Sequence, residues 1–412
     1  MMRVQGKRGW LTIAFWVASL VSPDRSSGKT DVWSHFGLRG ETVTALALAG
    51  PGDVYAGTSS GAILRVVYRV ATPLVQNLAG DSSPINALAV DPANPDVAYA
   101  ATNSGLFRSR DGGSTWMASA VAPVGVIDIA IDPQESNTLY VSARTFGLFR
   151  TTDAGESWSR ISVTGSVEKL VIDPHDPAKI YAATSSGIAR SSDRGTSWRT
   201  SPELGSVRTL AIDPTTPTTL YGSTDEGVFK SVDQGEHWIA SGMEGTAVFS
   251  LVIDNQDTST IYAATGNGAF KSVDAGKSWL PIDQGLTVPV TTIIGDLALC
   301  RIYAATADGI LETDIGPVLT IHSALCVDSP WTVVVSHGGG NSPIHLFGTS
   351  NGSVWDIPDW GVTDGSGKFT ASGRFGADTT GTHQLRVEVN GMTSNTIHFS
   401  VTADGNSTCR TM

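Results

Sequence analysis

The stretch FKSVDQGEHW at Phe229–Trp238 decides how this chain folds, because it recurs. The copies read FRSRDGGSTW at 107–116, FRTTDAGESW at 149–158, ARSSDRGTSW at 189–198 and FKSVDAGKSW at 270–279. The shared pattern is S/T-x-D-x-G-x-S/T-W, with His237 at the second S/T position in the copy at 229–238. Its chemistry is that of a turn. The aspartate accepts hydrogen bonds from nearby backbone N–H groups. The glycine takes a backbone conformation that other residues resist. The tryptophan brings a large apolar face to whatever follows. A catalytic site is used once, whereas a part built five times in register is read as scaffold. The scaffold residues are Asp111, Trp116, Asp153, Trp158, Asp193, Trp198, Asp233, Trp238, Asp274 and Trp279.

The turn belongs to a longer period. Aligned on tyrosine, the chain reads VYAGTSSG at Tyr55, AYAATNSG at Tyr99, LYVSARTFG at Tyr140, IYAATSSG at Tyr181, LYGSTDEG at Tyr221, IYAATGNG at Tyr262 and IYAATADG at Tyr303. The seven copies are spaced 44, 41, 41, 40, 41 and 41 residues apart. A constant period near forty in a glycine-rich, strand-like sequence predicts a β-propeller. One unit supplies four strands: VRTLAID (207–213), TLYGST (219–224), VFKSV (228–232) and HWIAS (237–241). The last tyrosine unit has no tryptophan strand after it, and the first is preceded by DVWSHFGLRGETVTAL. Trp33 is therefore expected to bring the fourth strand to the blade begun near Ile293, closing seven blades into a ring without a free sheet edge. The first unit, GAILRVVYRVATP at 61–73, lacks both Asp and Trp and reads as a degenerate blade.

On these motifs, residues 30–314 resemble the Asp-box (BNR-repeat) propellers. That superfamily includes sialidases, xyloglucanase-type glycosidases, sortilin-like receptors and Ycf48-like photosystem assembly factors. The resemblance implies the fold and leaves function open, since enzymes and pure binders share it.

Residues 318–412 change pattern, with about seven short alternating runs over 318–402 whose turn spacing predicts an Ig-like β-sandwich. The tract resembles Ig-like modules appended to secreted bacterial propellers. Trp355 and Trp360 read first as core residues and second as a sugar-stacking pair. The fold class expected is thus all-β: a seven-bladed propeller followed by an Ig-like sandwich. At the other end, Arg3, Lys7 and Arg8 precede a twelve-residue apolar stretch, Trp10 to Val21, which suits a signal peptide over 1–28 and is short for a membrane span. A secreted or periplasmic protein is expected. Of the three cysteines, Cys326 and Cys409 bracket the sandwich and are the favoured disulfide, with Cys300–Cys326 the alternative.

The net charge of −12 argues against a phosphate-backbone partner, so no nucleic acid is expected. No metal-ligand spacing and no cofactor fingerprint occurs, so no metal and no cofactor are assigned. Two G-x-S-x-G matches, at Gly57–Gly61 and Gly348–Gly352, fall in turns of β units rather than at a strand-to-helix elbow. A sialidase needs three converging arginines. Arg108, Arg150 and Arg190 share one repeat slot with Lys230 and Lys271, and Arg144 and Arg208 are read as the only arginines at non-repeat positions near a strand end, which is two and not three. A two-carboxylate glycosidase needs paired acids in a cleft, for which Glu168, Asp225 and Glu226 are the weak catalytic candidates. The DP turns and the Asp boxes are expected on one face of the disc and the variable residues on the other. There Arg144, Phe146 and Arg208 are the candidate binding residues. The expected role is a protein- or glycan-binding scaffold, more an unenzymatic module than an enzyme. The alternative is a glycoside hydrolase acting on extracellular polysaccharide.

Overall fold

The computed structural model describes residues 33–314, apart from 68, 81, 120–122, 256, 287 and 297–300, and outside that range gives backbone strands alone. The chain divides into two units: 32–296 with 301–313, and 1–31 with 297–300 and 314–412. The larger unit holds seven four-stranded antiparallel sheets. Each inner strand touches the next around the ring, and the inner strand of the seventh sheet touches that of the first. It is a seven-bladed β-propeller.

The second strand of each blade is the best buried. Leu139–Ala143, Ile180–Thr184, Leu220–Thr224 and Ile261–Thr265 are buried at every position. Such strands have sheets on both faces, so small and apolar residues are required throughout. The repeat tyrosine lies in this strand, and all seven are at most 2% exposed. The basic slot on the third strand lies over that ring. The Arg65 guanidinium stands 5.4 Å from the Tyr55 centroid, Arg108 5.6 Å from Tyr99, and Lys230 Nζ 5.2 Å from Tyr221. Part of the arginine complement is therefore consumed by the architecture.

The Asp boxes are built alike. In blade 2, the Ser109 hydroxyl donates to Asp111 at 2.9 Å and accepts from Gly113 N–H at 2.8 Å. Thr115 donates to the same carboxylate from its backbone N–H at 2.8 Å and from its hydroxyl at 2.6 Å. Blades 3, 4 and 6 repeat this with Ser157, Ser197 and Ser278. In blade 5 His237 replaces the hydroxyl, and its Nδ1 lies 2.7 Å from Asp233 Oδ2. The hydrogen bonds hold the Asp153 and Asp193 carboxyls down at about 2.

Each box also reaches outside its own blade. The residue after the aspartate is left-handed: φ is 65° at Gly112, 58° at Ala154, 56° at Arg194, 61° at Gln234 and 59° at Ala275. That bend sends its N–H to the neighbouring hairpin of its own blade, as in Ala154 to Asn137 O at 2.8 Å. It turns the carbonyl toward the preceding blade. Tyr140 of blade 3 donates to Arg194 O at 2.9 Å, and Tyr221 of blade 5 to Ala275 O at 3.0 Å. Arg108 of blade 2 donates to Ala154 O at 3.1 Å. The tryptophans follow the same direction: Trp158 packs into the cluster around Tyr99, and Trp238 into that around Tyr181. A Cβ on Gly113 would meet Tyr55 Cε1 at 2.8 Å, so the box glycine admits no side chain there.

Closure uses a different set of contacts. Ser34–Gly37 pairs with Gly309–Asp314 as the fourth strand of blade 7. Trp33 is 3% exposed and its N–H donates to Gln284 O at 2.7 Å. Phe36 lies 4.6 Å from the Tyr303 ring in a cluster shared with Val43 and Val66 of blade 1. Blade 1 has no Asp box. Its third and fourth strands, Ile63–Val67 and Val70–Val75, meet beside Arg69 (φ 70°), whose guanidinium pairs with Glu312 of blade 7. Glu312 occupies the slot that is Arg or Lys in the other six blades. Where the next blade lacks a box carbonyl to receive a cation and offers a cation instead, the slot carries an anion. Glu312 is buried, and Arg301 stands 3.5 Å from its second oxygen.

In the smaller unit, backbone strands form two antiparallel sheets. One runs Gly9–Ile13, Met2–Gly6, Phe369–Arg374, Pro330–Ser336 and Val318–His322. The other holds Ser353–Val362, Pro343–Ser350, Gly381–Val389, Met392–Thr393 and Ile397–Val401. Cys300, Cys326 and Cys409 lie outside the described residues, so the disulfide expectation does too.

Deleting residues 30–40 removes the strand that closes blade 7 and uncovers Tyr303. The truncated protein is expected to aggregate or to lose much of its thermal stability. Melting at the temperature of the intact chain contradicts this. Trp238→Ala, at a site only 6% exposed, is expected to cost about 3–5 kcal/mol in urea unfolding. Asp233→Ala should cost less, because that carboxylate side chain is 40% exposed. The reverse order contradicts the packing account.

Candidate functional site

Two faces of the disc differ in how they are made. On one, each Asp box hydrogen-bonds to the hairpin carrying the DP-type turn. Those turns are structural: Asp132 accepts from Gln134 and Glu135 N–H, and Asp173 from His175 and Asp176 N–H. The opposite face is formed where inner strands begin and where the second and third strands are joined.

A bulge sits at the start of nearly every inner strand there. The register skips Thr44, Asn86, Ile127, Glu168, Phe249 and Thr291. Arg208 holds the equivalent place before Thr209, with its N–H donating to Ser223 O at 2.8 Å. A bulge leaves one residue out of the ladder and re-aims its side chain. The ring is uneven: blades 7, 1 and 2 present Thr291, Thr44 and Asn86, whereas blades 4, 5 and 6 present Glu168, Arg208 and Phe249. Phe249 is 40% exposed.

The joints between second and third strands form an outer circle. In blades 2, 4, 6 and 7 a buried threonine accepts from the turn and donates across it, as Thr184 does to Gly187 O at 2.8 Å. The exposed residues between are set on this rigid base. Blade 3 breaks the pattern. Ala143 replaces the threonine, and one additional residue makes the loop Arg144-Thr145-Phe146. Phe146 is 45% exposed, and Arg144 is exposed with its backbone N–H bonded to Gly125 O at 2.9 Å.

The structure brings some candidates together and separates others. Arg208 Nε forms an ion pair with Asp225. Glu168 of the preceding blade acts on the same guanidinium, and both acids raise the arginine's pKa. The Arg208 hydrogen bond pulls the Asp225 carboxyl below its ordinary range. That is the wrong direction for a general acid, which needs a raised value. Glu226 follows in the same loop, where its backbone N–H bonds to Thr224 Oγ1 at 3.0 Å. Arg144 and Phe146 stand on blade 3, outside this ion-pair group. Glu168, Arg208 and Asp225 thus form one cluster on blades 4 and 5, without Arg144.

Three residues at these mouth positions were not among the candidate site residues. Asp128, 4% exposed, receives Lys169 Nζ at 2.8 Å and Leu170 N–H at 2.8 Å, linking blades 3 and 4. Phe249 completes the sector on blade 6. The signal lay in the position after each bulge, which runs Ala45, Ala87, Asp128, Lys169, Thr209, Ser250, Thr292. One adjacent pair of opposite charges in an otherwise small and neutral series marks a contact. The seven repeat tyrosines are buried between blades, and burial pushes Tyr181 up to about 12, so none of them offers a nucleophile on this face.

The described strands form an all-β seven-bladed propeller whose blades 2 to 6 each carry the repeated aspartate turn. No protein-family model and no curated protein matches the sequence. Solved structures do. A structure of YCF48 bound to D1 peptide aligns with a TM-score of 0.55 at 14% identity, covering 73% of this chain and 99% of that one. The GH74 enzyme of Niastella koreensis aligns at 0.56 and 15%, covering 89% and 74%. An ancestral GH74 enzyme aligns at 0.57 and 13%, covering 89% of this chain and 63% of that one. At such identities the likeness is one of fold. The matched structures include both a peptide-bound propeller and glycoside hydrolases.

Replacing Arg208 with alanine removes the donor that depresses Asp225. Carboxyl titration by NMR is expected to show Asp225 below the ordinary value of about 3.9 in the parent and close to it in the variant. An unmoved midpoint contradicts the ion pair.

Proposed function

We propose that this protein is a binding module that engages a partner through the uneven sector of the variable face, on blades 3 to 6. The observation that carries the reading is the Arg208 cluster. Asp225 is ion-paired with the Arg208 guanidinium and held below the ordinary carboxylate range, an arrangement suited to recognition and not to proton donation. Exposed Phe146 and Phe249 flank the charges, the mixture of aromatic and arginine side chains that anchors protein interfaces. The fold neighbour solved with a peptide is in keeping with a protein segment as partner, with a glycan as the other candidate. An Ig-like module over 318–412 and export through residues 1–28 complete the proposal and would place the module outside the cytoplasm. Glycoside hydrolysis of extracellular polysaccharide is the competing reading, prompted by the GH74 fold neighbours.

The purified mature protein is expected to release no chromophore from sialosides or other chromogenic glycosides. Partner binding should fall about tenfold or more in Arg208→Ala or Arg144→Ala and persist in a folded Asp233→Asn variant. Robust hydrolysis abolished by Glu168→Gln or Asp225→Asn would replace the binding reading with the enzymatic one.

A further inference from the structure

The flank of blades 5 and 6 breaks the polarity of the other boxes. The residue before each box aspartate is Arg110, Thr152, Ser192, Val232 and Val273 in turn. The residue after each box tryptophan is Met117, Ser159, Arg199, Ile239 and Leu280. Blades 3 and 4 are polar at both places, whereas blades 5 and 6 are apolar at both. Val232, Ile239, Val273 and Leu280 are 62%, 65%, 49% and 65% exposed. A single exposed apolar side chain needs no explanation, but four on adjacent blades do.

Val232 and Ile239 line a cavity of about 620 Å³ between the two blades, together with Met243, Phe270 and Trp279, the two lysines Lys230 and Lys277, and one acid, Glu244. The lysines follow from the repeat. In blades 2 and 4 the slot arginine donates to the next box carbonyl. In blade 5 the Tyr221 hydroxyl donates to that carbonyl, Ala275 O. Lys230 is left above the Tyr221 ring without a hydrogen-bond or ion-pair partner among the described residues. Burial lowers its pKa and Lys277 lowers it further, against an opposing pull from Asp213. The outer strand of blade 5, Ile239–Ala240, is only two residues long and leaves a short open edge beside the cavity.

We infer that this flank is a docking groove for an extended segment of a partner protein that carries an Asp or Glu side chain between apolar residues. The carboxylate meets Lys230 and Lys277, the apolar neighbours cover Ile239 and the Trp279 wall, and the backbone lies along the open edge. Charge selects this occupant. On a chain of net charge −12, a groove in which Lys230 and Lys277 outnumber the single acid Glu244 is a local exception that an acidic segment can use. The site is distinct from the Arg208 sector, so either can fail without the other.

The full-length protein is titrated against a fluorescein-labelled peptide of alternating leucine and glutamate, read by fluorescence polarisation. Saturable binding is expected, about tenfold or more weaker for the leucine–glutamine counterpart. Lys277→Glu and Ile239→Ser, both at exposed positions, should each weaken it comparably at an unchanged melting temperature. Arg199→Ser, at the matching position of blade 4, should leave it intact. Absence of saturable binding, equal binding of both peptides, or indifference to Lys277→Glu overturns the inference. So does transfer of the same variant sensitivity to phosphatidylserine vesicles, or self-association that Ile239→Ser abolishes.

Discussion

The contact on which the rest depends is that between a box and the blade before it. A left-handed residue after the aspartate turns one carbonyl toward the preceding blade, where a tyrosine hydroxyl or a slot arginine meets it. A non-glycine residue in that conformation costs roughly 1–2 kcal/mol, and four of the five boxes accept it. The carboxylate fixes the bend from within by binding the hydroxyl residues on either side and the backbone N–H that follows. The tryptophan then fills the same interface. The motif is thus a weld between sheets whose own hydrogen bonds do not cross from blade to blade. Its repetition follows from there being several such interfaces and one solution to each.

Five boxes leave two of the seven interfaces without one, and that between blades 7 and 1 tests this logic. Between blades 7 and 1 no box carbonyl is presented, and the slot changes sign to match Arg69. Breaking a buried charge pair by removing one partner leaves an uncompensated charge, which is costly. The Glu312 exchange therefore favours the one pairing that closes the ring over pairings between wrong blades. Phe36 adds apolar burial at the same seam, so closure rests on packing as well as charge.

The scaffold was legible because its residues recur at fixed spacing. The tyrosine period gave the blade count, and the orphan strand at Trp33 gave the closure. The slot arginines were recognised as repeat residues, but their place over the tyrosine rings was not, since cation–π stacking leaves no spacing of its own. The Glu312 exchange was also missed. It becomes visible only when GILET is aligned with GVFKS and the missing box of blade 1 is considered beside it. The candidate site was partly legible. Departures from the repeat at Arg144, Phe146, Glu168, Arg208 and Asp225 marked the variable face. Which of them meet depended on bulges and rotamers, and the sequence carries neither.

The division of labour is then physical. Residues that repeat are spent on holding blades together, and residues that break the repeat remain for partners. Hydrogen–deuterium exchange of an Asp193→Asn variant tests this most directly, because Asp193 organises the turn whose Arg194 carbonyl receives Tyr140 of the blade before. The account predicts faster exchange in Leu139–Ala143 of blade 3 as well as in the variant's own turn, with the Arg208 rim unchanged. Faster exchange confined to residues 191–198, with Leu139–Ala143 as protected as in the parent, would contradict it.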